Sequence, residues 1–411
     1  MLVTKSALPA DLKKFQVKID KTDITPAVLT AVVFQDIFSP TWTCTISMND
    51  TNNAIMNVPI KPGSKIKIKV ESELQSKMDG EKEFEFIVYG IADRQFQNAL
   101  QQTYAIQGVS EDFIKNQSLR VKQSFKHKTG DAILKQIVEE SLGGEVTESD
   151  EGKEKLCTII NNISPFTAAQ QICKTTVANG KDPAADFVFF MRDKGKYVFR
   201  SVEKLFSEKE VATFKMRPAH VRDRAGNLED DYCTCISNYH FEHYDAMSNI
   251  SNGYYASKMV TFDFISKTWA EEVFKFGDDV SDDKEKKPWD FAEFEKEDAS
   301  VTFIPQHPGL SDKGETVFDS AKEWFGSRMS SMMKLEQDKL IVQVPGGVKG
   351  WEMLGKTIKI DMPSQQDKSN EQLDKQFKGK YFVVAISHFF GKHAYFTNYE
   401  LIKKRHEKKM Q

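Results

Sequence analysis

Cysteine and histidine are the residue types in this chain that could bind a metal or act as nucleophiles, but their spacing argues against both roles. Cys233 and Cys235 are two apart in a strand-like segment and would lie on one face. A structural zinc site instead needs a C-x₂-C pair and a second pair of ligands. His240 and His243 are three apart, and a strand would direct them to opposite faces. We interpret both pairs as core or rim residues.

Motifs that hold phosphate or activate a serine are also missing from the sequence. The run from Pro345 to Gly350 is rich in glycine, but no Gly-Lys-Ser/Thr follows it. Gly-x-Ser-x-Gly does not occur, and no sequence feature pairs two carboxylates as a glycosidase acid and nucleophile. The sequence therefore offers no catalytic, cofactor-binding or metal-binding residues, and we expect a protein that is not an enzyme.

Length and composition are typical of a soluble protein with several domains. The chain has 411 residues, of which 40% are hydrophobic and 28% charged, and this length suggests about three domains. Its net charge of -3 excludes an overall basic nucleic-acid binder. No apolar run approaches the ~18 residues of a membrane span, and no signal peptide is recognisable, so we expect synthesis in the cytoplasm. The 5 scattered cysteines favour free thiols.

Two copies of one small antiparallel β pattern organise the chain. In each copy a glycine, Gly63 or Gly355, precedes an Ile-Lys-Ile strand, and a charged loop follows that strand. Such self-similarity predicts a duplicated structural unit. The strands after the loop are aromatic-rich in both copies and are followed by a Tyr-centred strand: Phe84–Ile91 and Thr103–Val109 in the first copy, Tyr381–Ile386 and Tyr395–Leu401 in the second.

Helix signals between the two copies predict an α+β domain. Thr129 is placed as the N-cap of an amphipathic helix that Gly143 would end. Ser164 followed by Pro165 predicts the start of a second helix, ending near Asn179. The turn-forming residues from Asp193 to Gly195 predict a β-hairpin after it.

We therefore predict an α+β, mainly β protein with two similar antiparallel β-barrels, an intervening α+β domain and an insertion in the second barrel. The first strand is expected at Phe15–Asp20, and the strand around Cys233–Phe241 is assigned to the second barrel. The predicted boundaries are 1–110 for the first barrel, 111–205 for the α+β domain, 206–265 with 335–403 for the second barrel, 266–334 for the inserted segment and 404–411 for a basic tail.

The inserted segment has two interpretations. Asp278–Asp298 contains ten acidic and four basic residues, with Trp289, Phe291 and Phe294 among them. This composition is typical of a solvated loop, but clustered aromatic residues also suit a docking segment for a partner. Thr316–Met333 predicts a helix whose apolar stripe packs in a core, with a partner groove as the alternative.

The order of these elements resembles the baseplate hub protein of contractile-tailed bacteriophages, a superfamily that includes type VI spike-hub and phage late-control proteins. The resemblance extends from about residue 15 to residue 403, and the inserted segment fits it least well. The stretches that carry it are Phe84–Ile91 with Gln102–Phe113, Ser124–Ile133, Asn161–Gln170, Leu340–Gly346 and Gly355–Ile360.

The resemblance implies a structural virion protein. It would be a homotrimeric hub in the tail baseplate, assembled in the host cytoplasm, that joins the hexameric tail tube to the trimeric central spike and contacts other baseplate proteins. Two β units per chain let a trimer match a six-fold ring, and the resemblance is compatible with DNA passing through that ring. It implies no catalytic residues and no cofactors. Two alternatives stay open: a tail-associated cell-wall-degrading enzyme, and a distal tail protein of a non-contractile phage.

Overall fold

The computed structural model describes most of the chain. The described residues are 12–51, 60–72, 81–98, 101–180, 184–216, 234–242, 245–263, 266–275, 300–306, 324–329, 331–332, 335, 339–363, 377–391 and 394–403. Within them, the α+β, mainly β fold predicted from the sequence is confirmed, with sheets that curl into half-barrels. The chain divides into two compact units: unit 1 consists of Met1–Lys115, Lys209–Phe241 and Leu340–Leu401, and unit 2 of the remaining residues.

Twenty-two strands, β1 to β22, are described along the chain. In order they are Leu12–Ile19, Thr22–Asp23, Val28–Asp36, Thr43–Asp50, Lys65–Ser72, Lys82–Asn98, Gln101–Val109, Val121–Thr129, Glu145–Ser149, Lys155–Ile163, Phe187–Asp193, Lys196–Ser201, Thr213–Met216, Cys235–Ile236, Asn238–Glu242, Ala256–Asp263, Thr268–Lys275, Val301–Gln306, Lys339–Pro345, Thr357–Asp361, Gly379–Gly391 and Tyr395–Lys403. β1 starts at Leu12, three residues before the predicted start, because its pairing with β5 extends to Ser72.

The helices are short. α1 to α5 are Glu111–Ser118, Gly130–Ile137, Pro165–Thr175, Val202–Ser207 and Ala246–Ser251. Two 3-10 helices cover Thr25–Ala27 and Val348–Glu352, and α2 continues as a π-helical turn over Val138–Leu142. No helix among the described residues is both long and apolar enough to cross a membrane.

Unit 1 contains one sheet of 14 strands, in which the predicted duplication is visible as two sets of seven. We call these sets the N-terminal and C-terminal β units. The strands pair in the order β3-β4-β7-β6-β5-β1-β2 in the first and β15-β19-β22-β21-β20-β13-β14 in the second. Numbered by their appearance in the chain, both sets have the same order, 3-4-7-6-5-1-2. The two units differ at one end, since β1 runs antiparallel to β5 whereas β13 runs parallel to β20.

The two glycines that marked the repeat have the same backbone role. Gly63 and Gly355 both have positive φ, 95° and 71°, a conformation that glycine adopts without a steric penalty. The Gly63 N–H donates to the Val88 carbonyl at 2.8 Å, and the Val88 N–H donates to Ser64. The Gly355 N–H likewise donates to the Val383 carbonyl at 3.1 Å, and the Val383 N–H donates to Lys356. Val88 and Val383 are therefore equivalent positions.

The two β units are joined edge to edge. β3 of the N-terminal unit pairs antiparallel with β21 of the C-terminal unit, from Ala385↔Asp36 to Gly391↔Thr30. Aromatic side chains from both β units pack against each other near this junction. Trp351 stacks on His388 with ring centroids 3.5 Å apart and packs against Phe84 at 4.2 Å. The units that the sequence presents as separate barrels consequently share one sheet and one core.

Unit 2 contains the α+β domain with the predicted order of elements. Thr129 and Ser164 have extended dihedral angles at the N-caps of α2 and α3, and Gly143 has the left-handed φ of 68° after the π turn. The hairpin β11–β12 forms with its turn at Asp193–Gly195. α3 ends at Thr175, before the predicted Asn179, because the Thr176 backbone N–H caps the Ile172 carbonyl as the chain becomes extended.

The inserted segment contributes a three-stranded sheet to unit 2. β16 pairs antiparallel with β17 and parallel with β18. β16 lies within the stretch 206–265 that was assigned to the second barrel, and it pairs with β17 and β18 in this separate sheet. The predicted strand at Cys233–Phe241 does belong to the C-terminal β unit, as β14 and β15.

The apolar stripe predicted in the insertion is partly described, and it packs in a core. Residues 324–329 are helical, and the Arg328 guanidinium donates to the carbonyls of Cys173 and Ala185, each at 3.4 Å. Phe325 is buried in a cluster with Tyr255, Met259 and Phe274, against which Trp324 and Met329 also pack. The acidic stretch Asp278–Asp298 and the basic tail lie outside the described residues.

Candidate assembly surfaces

The residues that could have done chemistry do not form a described site. Cys44, Cys157, Cys173 and Cys235 are free thiols. Burial raises the pKa of Cys173 to about 12, which suppresses the reactive thiolate. Cys233 and His243 lie outside the described residues. Within the described part of the chain, no three His, Cys, Asp or Glu side chains are placed to hold a metal ion.

The second half of β6 is an exposed strand surface in the N-terminal β unit. Ile87 pairs with Lys65 of β5 and with Val109 of β7, so both strand edges are occupied at this point. Val88 still bonds to Gly63 and Ser64, and beyond it β6 pairs, within the described part of the chain, only with β7, up to Asn98. Large hydrophobic side chains are exposed along this part of the strand: Tyr89 by 52%, Ile91 by 38% and Phe96 by 75%.

The equivalent part of the C-terminal β unit is covered. Because Val88 corresponds to Val383, an offset of 295 (383 − 88), Ala385–Gly391 corresponds to residues 90–96. β21 pairs with β22 and, over those residues, with β3. Ile386 is fully buried there, whereas its counterpart Ile91 is 38% exposed. The residue type is the same in both β units, but the β3 pairing partner of β21 at this position has no described counterpart beside β6.

The outer face of β5 carries an ion-pair ladder. Lys67 contacts Glu85 at 2.7 Å and Glu83 at 3.1 Å, and Lys69 contacts Glu83 at 2.7 Å and Glu81 at 3.0 Å. The hydrogen bonds that Lys67 donates to Glu85 and Glu83 raise the pKa of Lys67, and the hydrogen bonds that Glu83 accepts from Lys69 and Lys67 lower the pKa of Glu83. The face is therefore charged but locally balanced. Exposed pairs of this kind add little stability, but charges on a β surface discourage nonspecific association.

The sheet of the inserted segment has a second exposed apolar surface. One face of the sheet packs on the cluster around Met259. The opposite face exposes large hydrophobic side chains from all three strands, Phe262, Trp269, Val273, Val301 and Phe303. Trp269 is exposed by 67% and Phe303 by 70%. Apolar side chains gathered on one face in this way are typical of a protein contact.

Sequence reasoning did not identify either surface. Phe84–Ile91 was interpreted as a barrel strand, which is correct for Phe84 and Phe86, both buried. The exposure of Tyr89 and Ile91 could not be read from alternation, since a strand with an open edge has the same residue pattern as a paired one. A usable signal was the bulky polar run Asp93-Arg94-Gln95, which replaces the apolar residues found at the end of β21.

Comparison with solved structures shows that this fold is shared with two tail proteins. The chain is similar to a tail protein from Neisseria meningitidis MC58, with a TM-score of 0.54 and 10% identity over 95% of this chain and 96% of that one. It is also similar to the 43 kDa tail protein of prophage MuSo2 from Shewanella oneidensis, with a TM-score of 0.52 and 11% identity over 94% and 97% of the two chains.

A third similarity is weaker. A type VI secretion component of E. coli, the c3393 protein, has a TM-score of 0.45 and 9% identity over 97% of this chain and 78% of that one. No family model matches the sequence, and no curated protein matches it. At these identities the similarity establishes the fold that this chain shares with the two tail proteins.

Proposed function

We propose that the protein is a structural component of a phage-type tail, and specifically the homotrimeric baseplate hub that joins a hexameric tail tube to a trimeric central spike. The observation that carries the proposal is the duplication inside the chain. Seven strands recur in the same pairing order, 3-4-7-6-5-1-2, and the two sets share one sheet. The tail-protein fold supports the assignment to a virion tail.

The duplication would allow a three-fold assembly to bind a six-fold one. A trimer of chains with two similar β units each presents six near-equivalent surfaces around one axis, while the rest of each chain repeats only three times. A six-fold tube can then rest on the β units, and a three-fold spike can contact parts that occur once per chain. In this proposal the β units form the ring, and the intervening domain and the insertion contact the spike or other baseplate proteins.

The proposed role is structural and requires no reaction. The tail proteins that share the fold favour this over the alternative of a cell-wall-degrading enzyme. Incubation of the purified chain with peptidoglycan distinguishes the two, and we expect no release of soluble fragments. Measurable hydrolysis that persists through repurification would contradict the structural assignment.

The molar mass in solution tests the hub itself. We expect light scattering to give three times the chain mass of 46.9 kDa, either for the protein alone or when the spike protein of the same tail is co-expressed. An interface of modest size can leave the isolated chain monomeric until the partner is present. A dimer, or a monomer under both conditions, would refute the trimeric hub.

A further inference from the structure

The two β units meet at one junction inside the chain, but each of the two strands that form this junction has an equivalent strand in the other unit. The junction joins β3, the first strand in the order of the N-terminal unit, to β21, the fourth strand in the order of the C-terminal unit. The same positions in the opposite units are held by β15 and by β6. If the same contact is repeated between neighbouring chains, it therefore joins β15 of one chain to β6 of the next.

We propose that the edge of β6 along residues 90–92 binds β15 from a second copy of this chain, in the antiparallel arrangement that β3 adopts on β21. This inference rests on the proposed function, because it specifies the contact by which the hub ring closes. The strand is added to a sheet edge, and main-chain hydrogen bonds supply much of the contact. Each chain then offers one donor strand and one acceptor edge, so the contact is heterologous and can close into a ring.

The acceptor edge has the properties that such a contact needs. Tyr89 and Ile91 are exposed, whereas Ile386, the counterpart of Ile91, is buried in the part of β21 that pairs with β3. Covering these side chains would remove apolar surface from water. Beyond them, β6 has a bulge between Ala92 and Gln95, with Asp93 at a φ of 52°. Bulges and charges of this kind limit where an edge strand can pair. On the other side, Val88 is already bonded to Gly63 and Ser64, so the regular contact is restricted to residues 90–92.

The donor strand is placed at the end of the other β unit. The strand that pairs with β15 is β19, just as β4 pairs with β3. The Ser237 backbone N–H donates to the Gln343 carbonyl at 2.8 Å, and the Ser237 hydroxyl donates to the same oxygen at 3.0 Å. These bonds hold the start of β15 against β19. The strand is thus presented on a formed sheet, which reduces the entropy lost on binding.

Disulfide trapping between two differently tagged chains tests the contact directly. One chain carries Ile91→Cys and the other His240→Cys, and they are co-expressed as full-length proteins and oxidised. We expect a crosslinked species that contains both tags and disappears on reduction. Chains that carry only one of the two substitutions are the controls for the five native cysteines. Absence of the two-tag species, or a crosslink of Ile91→Cys to co-expressed spike protein instead, would overturn the proposal.

A charge substitution distinguishes an effect on this contact between chains from an effect on folding. We expect Ile91→Asp to leave the melting temperature unchanged and to reduce the trimeric fraction at least about tenfold, as a carboxylate buried without a partner would. Ile386→Asp is the matched control, because the same change at the equivalent buried position should unfold the chain. If the Ile91→Asp variant remains trimeric and no two-tag crosslink forms, the proposed contact at the β6 edge is wrong, but the trimeric hub is still supported. A two-tag crosslink in an assembly that is not trimeric supports the edge and refutes the hub.

Discussion

His388 lies at the centre of the core of unit 1. Its imidazole is fully buried, stacks on Trp351, and has Nδ1 2.9 Å from the Tyr395 hydroxyl oxygen. Burial, with a smaller contribution from the charge of Lys82, holds the pKa of His388 well below its usual value of 6.5. The histidine is therefore a neutral core residue. His388 lies in β21 where that strand pairs with β3, so a change in its protonation affects the stability of this part of the core.

We predict that His388 makes folding sensitive to acid. Its pKa is lower in the folded protein than in the unfolded chain, so the unfolded chain takes up a proton first as the pH falls below about 6.5. The stability is therefore present above this pH and decreases below it, by at most about 1.4 kcal/mol per pH unit. His388→Phe keeps a ring in the stack and should reduce this slope between about pH 7 and pH 5.

Chemical denaturation at several pH values measures the slope. His127→Asn, at an exposed position with a φ of 55° that asparagine tolerates, is the control for changing a histidine. If His388→Phe keeps the wild-type dependence of the free energy of unfolding on pH, the buried histidine is not its source.

At the scale of elements, the sheet β16–β17–β18 shows how one strand pattern serves two environments. Met259 and Phe274 lie on the face that packs against Phe325, and Met259 is fully buried. Trp269 and Phe303 lie among the exposed residues of the sheet. Both faces carry apolar side chains, but among the described residues only the first face is shown to pack against another element of its unit. The second face would be available for contacts with another protein.

A matched pair of substitutions tests these assignments. We predict that Met259→Thr lowers the free energy of unfolding by about 2–4 kcal/mol, because it leaves a cavity and buries a hydroxyl. Trp269→Thr keeps a residue that favours strands and should cost less than about 1 kcal/mol, chiefly from the lost cross-strand contact with Phe262. Thermal unfolding of both variants provides the comparison. Equal losses would show that the exposed face is packed in the folded protein.

At the scale of the whole molecule, we predict that deleting Asp278–Asp298 leaves the fold intact and weakens binding to the spike or to a neighbouring baseplate protein. The stretch joins β17 to β18 and has a net charge of -6 from ten acidic and four basic residues. Such a segment suits a contact that is strengthened by opposite charge and weakened by salt. Titration of the purified partner at two salt concentrations measures the effect.

A shorter deletion at 364–376, within the connection between β20 and β21, serves as the control for shortening a connection. Unchanged affinity and unchanged salt dependence in the Asp278–Asp298 deletion would leave that segment as a solvated loop. Loss of affinity in both deletions would point to a general effect of shortening loops.

Several features of this protein were predictable from the sequence because they depend on neighbouring residues. The positive φ at Gly63 and Gly355, the extended N-caps at Thr129 and Ser164, and the hairpin at Asp193–Gly195 all follow from local backbone preferences. The duplication was also visible, since two stretches with the same local preferences form the same strands.

The candidate surfaces depended on the tertiary structure. Ile91 and Ile386 are the same residue type at equivalent positions of the two β units, but only Ile386 is buried, in the part of β21 that pairs with β3. Strand pairing over hundreds of residues decides which edges are occupied, and it leaves no periodicity in either strand. The same reason explains β16, whose pattern suited either sheet and whose pairing with β17 and β18 placed it in the insertion. The sequence by itself determined which strands form and that they form twice; the tertiary structure determined which of their edges and faces are exposed for assembly.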